Sequence, residues 1–184
     1  MAASPGPGRT PAGVTGPARR DRADAVEGLI RRHWHRAYRA AYLILQDAGA
    51  AEDVTQEAML AAIDALDRFD RRRPFAPWLH RIVVNRALDR HRADSRRPEF
   101  AHEHIDRVER AAAANVESLS PGIAAALAAL DQEQRAIVVL RHLFDYNSRE
   151  IARMLDLPPA TVRTRLRRAL DQLRATLREE EARA

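Results

Sequence analysis

Apolar side chains recur at three- and four-residue steps from Asp24 onward, the period of an amphipathic helix. Val26, Leu29, Ile30, Trp34, Ala37, Tyr38, Ala41 and Ile44 form the first stripe, with Asp24 as its expected cap. Asp47-Ala-Gly-Ala interrupts it. Val54, Ala58, Ala61, Ala62 and Ala65 form a second stripe and predict a helix over 51–66. The loop Arg68-Phe-Asp-Arg-Arg-Arg-Pro-Phe-Ala-Pro follows, and Pro77 suits the first turn of a third helix. Trp78, Leu79, Ile82, Val83, Ala87 and Leu88 mark that helix, which should end near Arg92.

The pattern lapses over 94–121, a stretch with Pro98 and Pro121 that reads as a linker, with a possible helical turn at Ala111–Ala114. It resumes with Ile123–Leu130. Asp131 and Gln134 have capping-box spacing, so each satisfies an orphan amide of the other's turn. The helix behind them carries Ile137, Val138 and Leu140. Asn147 opens a further helix with Ile151, Ala152 and Leu155. Asp156-Leu-Pro-Pro makes a short turn, and a last helix carries Val162, Leu166, Ala169, Leu170, Leu173 and Leu177 on one face. No segment reads as a strand and no repeat is evident. The predicted fold is all-α: two small helical domains joined by a flexible linker.

The boundaries expected are a disordered basic tail over 1–23, a first domain over 24–95, a linker over 96–121, a second domain over 122–178 and a tail over 179–184. The first tail is rich in proline and glycine and carries Arg9, Arg19, Arg20 and Arg22; such a composition cannot bury apolar surface. Apolar residues make up 46% of the chain but aromatics only 5%, so the cores should be aliphatic.

The 184 residues contain no cysteine, which excludes disulfides, thiolate metal sites and a cysteine nucleophile, and fits a reducing cytoplasm. The apolar runs are far too short to span a bilayer. Seven glycines, four of them before residue 17, leave too few for a phosphate-cradling loop. His33 with His35, and His102 with His104, lack matching ligands nearby, so no metal is expected. Glu52, Asp53 and Glu57 could form a catalytic carboxylate cluster on paper. They lie on an acidic helix without a nucleophile or cofactor motif. Neither an enzyme nor a cofactor is expected.

Charge is sorted in blocks. Residues 46–67 hold six acids and no base, and residues 68–97 have a net charge of +7. Residues 98–133 have a net charge of −5, and residues 134–178 one of +6. Every basic side chain other than histidine is arginine. One basic block is commonly just a solvated face. Two arginine blocks on two helical domains favour a polyanion with two contact points, and arginine pairs bidentately with phosphate and with guanine. The acidic helix suits a basic protein partner instead.

Asn147–Arg174 has helix-turn-helix spacing. Its second helix presents Thr161, Arg163, Thr164, Arg165, Arg167 and Arg168, types that contact phosphates and base edges in a major groove. A plain helical hairpin with a basic surface is the bland alternative. Trp78 is either a core residue or a base-stacking one, and Phe75 is similarly open. Asn85 is either a base contact or an intrahelical partner of Asp89.

Two stretches resemble the extracytoplasmic-function (ECF) sigma factors, small two-domain bacterial transcription initiation factors. One is AEDVTQEAML with LDRFDRRRPFAPWLHRIVVNRALDRHR; the other is ALAALDQEQRAIVVLRH with REIARMLDLPPATVRTRLRRALDQLR. The resemblance implies that Glu52, Asp53, Gln56, Glu57 and Leu60 dock on the clamp coiled coil of core RNA polymerase. It implies that the loop Phe69–Ala76, with Phe69, Asp70, Arg71, Arg72, Arg73 and Phe75, captures a flipped base of the −10 element. The next helix, with Arg81, Asn85, Arg86, Asp89 and Arg90, would read and separate that element. The helix Pro159–Arg174 would read the −35 element, and the apolar side of its domain would take the polymerase flap tip.

The resemblance further implies a monomer when free, without membrane insertion. An anti-sigma protein, often membrane-anchored, commonly restrains such factors. Asp145 and Asp156 stand where the family usually has glycine, Asn147 where it has serine, and Asp131 where it has proline. Asp and Asn tolerate left-handed or capping geometry, so the same turns are expected. The rival readings are an operator-binding helix-turn-helix regulator that never touches polymerase, and a sigma-like decoy for an anti-sigma protein.

Overall fold

A computed structural model describes residues 17–70, 72–94 and 121–183. Among them are seven α-helices: α1 (Pro17–Leu45), α2 (Ala48–Asp64), α3 (Phe75–Asp94), α4 (Pro121–Ala128), α5 (Gln132–His142), α6 (Ser148–Leu155) and α7 (Pro159–Arg183). A short 3-10 turn, Leu66–Arg68, follows α2. No strand occurs among the described residues. The linker over 96–120, with Ala111–Ala114, and residues 1–16 lie outside them.

Two expected ends differ from those observed. Helix α1 begins at Pro17, so Asp24 sits inside it rather than capping it, and residues 17–23 are helical. Proline is tolerated at a first helical position, and the alanines and arginines behind it are strong helix formers. Helix α7 runs to Arg183, so the expected tail after 178 is mostly helix. Asp47 caps α2 by accepting from the Ala50 amide, which places the first turn of that helix where the sequence showed only a break.

Helices α1, α2 and α3 pack as one unit around Ala37, Ala41, Ile44, Val54, Ala58, Leu79, Val83 and Ala87. Helices α4 to α7 enclose Leu130, Ala136, Ile137, Leu140, Ile151, Val162 and Ala169. Both cores are aliphatic, and the alanines let helix backbones approach closely. Burying one such Leu or Ile contributes about 1.5–3 kcal/mol. Thr55, fully buried in α2, returns its hydroxyl to the Ala51 carbonyl at 2.7 Å, which removes the cost of an unpaired polar group.

The two units also pack on each other, α1 and α3 against α5 and α3 against α6. Several polar contacts fasten this seam. Arg135 donates to the Ile44 carbonyl at 2.7 Å from α5, and also to the carbonyls of Leu127, Ala128 and Leu130. It therefore satisfies carbonyls at the C-terminal ends of both α1 and α4. Burial lowers its pKa. Gln132 donates to the Ala87 carbonyl at 3.3 Å. His80 of α3 stacks on Phe144, with ring centroids 3.6 Å apart.

Candidate nucleic-acid interface

The helix-turn-helix is built from local chemistry. Asn147 accepts from the amides of Arg149 and Glu150, while Glu150 accepts from the Asn147 amide, closing a capping box at the start of α6. Asp131 and Gln134 close the same motif at α5. Helix α6 ends at Asp156, whose left-handed backbone (φ 53°) turns the chain; its amide reaches the Ala152 carbonyl. Asp145 is also left-handed, with φ 59°. Both aspartates thus occupy the geometry expected of them. Ile151, Ala152 and Val162 are buried between α6 and α7 and set their angle.

On α7, Arg163, Thr164, Arg167 and Arg168 are exposed and Thr161 is half-buried. Arg165 departs from the expected open row. It is half-buried and ion-paired with Glu133 of α5. Glu133 also accepts from Arg92, at the end of α3, at 3.3 Å.

The second basic surface centres on the loop before α3. The Asp70 side chain accepts from the Arg72 amide at 3.1 Å, and the Arg73 amide donates to the Asp70 carbonyl at 2.9 Å. Arg71 lies outside the described residues. Phe75 and Ala76 belong to α3 itself rather than to the loop. Phe69 packs on Trp78 with centroids 4.7 Å apart, and Phe75 meets Trp78 edge-on at 5.5 Å. Trp78 is therefore half core and half surface: it packs on two rings and lines an open cavity of about 690 Å³. Arg68, Phe69, Arg73, Arg81 and Arg153 also line that cavity. The sequence had given no role to Arg68 or Arg153. Arg153 comes from α6 of the other domain, so only tertiary packing reveals it.

The acidic helix faces outward as read. Asp53, Gln56, Glu57 and Leu60 are exposed, Leu60 by 62%, and Glu52 is half-exposed. Two of these acids also hold arginines of α3: Glu57 bonds Arg86 at 2.9 Å and Asp53 lies 3.7 Å from Arg90. Asn85 is half-buried on the same helix. Asp89 pairs with Arg92 at 3.2 Å.

Among the described residues, no group of three or more His, Cys, Asp or Glu could hold a metal ion, and no helix is long and apolar enough to cross a membrane. His102 and His104 lie outside them. His33 rests against Phe75 at 5.2 Å, and burial first, then Arg32 and Arg36, lower its pKa.

The family model for Sigma-70 region 2 matches residues 29–97, and that for Sigma-70 region 4 matches residues 122–173. The chain is 36% identical over 153 residues to the ECF RNA polymerase sigma factor SigM of Mycobacterium tuberculosis, covering 81% of this chain and 75% of SigM. The chain belongs to the ECF sigma factors. It is also 29% identical over 171 residues to SigW of Bacillus subtilis, covering 85% of this chain and 90% of SigW.

Among solved structures, CnrH in complex with the cytosolic domain of CnrY is 30% identical with a TM-score of 0.61, covering 88% of this chain and 95% of that one. The sigma factor RpoE in complex with the anti-sigma factor NepR from Bartonella quintana shares the fold, with a TM-score of 0.67 at 18% identity over 84% of this chain and 98% of that one. This sigma factor acts with core RNA polymerase in promoter-specific transcription initiation. The region 2 match accounts for α1 to α3, which an operator-binding regulator leaves unexplained.

Proposed function

We propose that the two basic surfaces divide promoter reading between them. The first domain (24–95) handles the −10 element, the second (122–178) the −35 element, and 96–121 links them. On α7, Thr161, Arg163, Thr164, Arg167 and Arg168 contact phosphates and base edges of the −35 element, joined by Arg165 when it leaves Glu133. Phe69, Asp70, Arg71, Arg72, Arg73 and Phe75 shape the entrance for an unstacked −10 base. Arg81, Asn85, Arg86 and Arg90 follow the displaced strand.

The observation that carries this reading is the cavity beside Trp78. It joins aromatic faces, on which any base can stack, to guanidinium groups that hold phosphates. Stacking offsets the few kcal/mol needed to unpair a base. Polymerase holds both domains on one DNA, so the second contact gains from effective concentration.

Glu52, Asp53, Gln56, Glu57 and Leu60 form the face that docks on the clamp coiled coil, an acidic rim around an exposed leucine. The apolar side of the second domain takes the flap tip. No bond is made or broken by this chain, which works in the cytoplasm, is monomeric when free, and is restrained by an anti-sigma protein; its structural neighbour RpoE is found in complex with the anti-sigma factor NepR. The deciding experiment is sedimentation of the purified chain with core RNA polymerase, with and without Glu52→Arg, Asp53→Arg and Glu57→Arg together. One-to-one binding that the triple reversal abolishes is expected. Undiminished binding by the folded triple variant would remove α2 from the docking surface.

A further inference from the structure

The cavity beside Trp78 has the make-up of a small-molecule site. Its volume is about 690 Å³, within the range of about 300–1,000 Å³ that such sites occupy. One wall is apolar and flat. Phe69 and Trp78 lie with ring centroids 4.7 Å apart, and Pro74 and Pro77 stand beside them. The rest is cationic. Arg68 ends the 3-10 turn, Arg73 precedes α3, Arg81 follows Trp78 by one helical turn, and Arg153 arrives from α6.

Four guanidinium groups thus share the cavity with a single carboxylate, Asp70. That carboxylate is committed to its own turn: it accepts from the Arg72 amide at 3.1 Å and lies 3.7 Å from Arg73. Arg68, Arg81 and Arg153 are exposed and form no ion pair with another described residue. Arg86, Arg90 and Arg165, by contrast, each hold a carboxylate. Guanidinium groups of this kind bind phosphate in a two-pronged geometry. Their placement on separate elements suits a chain of phosphates better than a single one. The aromatic wall suits a base, since every base has a face that stacks.

We propose that this cavity binds a free nucleoside polyphosphate, with the base stacked on Trp78 and the phosphates held by Arg68, Arg81 and Arg153. The inference rests on the reading of the same cavity as the seat of the unstacked −10 base, and it adds a second occupant. A nucleotide seated there takes the place of that base, so the two exclude one another. Promoter opening then responds to the nucleotide concentration around the chain.

Calorimetric titration of the full chain with guanosine triphosphate, without added divalent ion, tests this. Guanosine and inorganic triphosphate are titrated separately. Guanosine triphosphate should bind one-to-one and about tenfold more tightly than either fragment, because stacking and charge-assisted phosphate contacts then act together. Arg68→Ala and Arg153→Ala, both at exposed positions, should each weaken binding about fivefold through the loss of one such contact. Arg178→Ala, an exposed arginine of α7 outside the cavity, should leave it unchanged. In a Trp34→Phe chain Trp78 is the sole tryptophan. Its fluorescence should be quenched by guanosine triphosphate and not by inorganic triphosphate.

Inorganic triphosphate binding as tightly as the nucleotide would make the cavity a general anion surface and overturn the proposal. So would an equal loss in Arg178→Ala, or no binding at all. Neither polymerase nor promoter enters these titrations. A chain that fails them keeps its −10 assignment, which promoter opening decides separately.

Discussion

The Tyr146 hydroxyl and His80 Nδ1 meet across the domain seam at 2.8 Å, while His80 Nε2 is buried without a hydrogen-bond partner. Burial, reinforced by Arg36 and His33, lowers the His80 pKa from 6.5 to about 4. Burial, with Glu150, pushes the Tyr146 pKa up to about 12. Between 6.5 and about 4 the unfolded chain binds a proton that the folded site rejects. Stability therefore falls as pH drops through that window, by up to a few kcal/mol. Thermal melts between neutral pH and the lower end of the window should show this loss, and His80→Phe should flatten it. An equal slope in His80→Phe would assign the loss to other groups.

The turns of the helix-turn-helix make a separate prediction. Asn147→Ala removes the acceptor for two amides and should cost about 1 kcal/mol. Asp156→Ala places a Cβ without a polar side chain in the left-handed region and should cost about 1 kcal/mol, whereas Asp156→Gly should be neutral or stabilising. Urea unfolding midpoints would read all three.

Leu60 is the most exposed large apolar side chain among the described residues and touches no core. Leu60→Ala should leave the folding free energy within about 0.5 kcal/mol, the usual range for a surface change. It should weaken core polymerase binding at least several-fold. Calorimetric melting and a polymerase titration separate the two effects. An unchanged titration would take Leu60 out of the interface.

Trp78→Ala should slow promoter opening while leaving polymerase binding intact. Aromatic–base stacking contributes about 1–3 kcal/mol per base, so the opening equilibrium should fall by about 5- to 150-fold. A fluorescent base analogue in the −10 element reports the unstacked base. Retained opening would mean that Trp78 serves the packing of Phe69 and Phe75 alone.

Arg167→Ala should weaken duplex binding across sequences and reduce the salt slope by about one, as expected when one phosphate contact is lost.

What the sequence made legible was local. The boxes at Asp131 and Asn147 involve residues three apart, and the left-handed turn at Asp156 is a property of one residue and its neighbours. The helix faces followed from a period that packing respects. Helix ends were less legible: Asp24 had the right chemistry for a cap, but the alanines and arginines upstream extend the helix past it. Least legible were contacts between distant residues. Arg165 looked like a member of an exposed row because only α7 was in view, and its partner lies 32 residues earlier. His80 and Arg153 carried no local signal, since their neighbours come from the other domain.

Arg135 grips four carbonyls, and three of them belong to its own domain. If the domains part, only the bond to Ile44 is given up. The guanidinium keeps hold of Leu127, Ala128 and Leu130, so the end of α4 stays tied down.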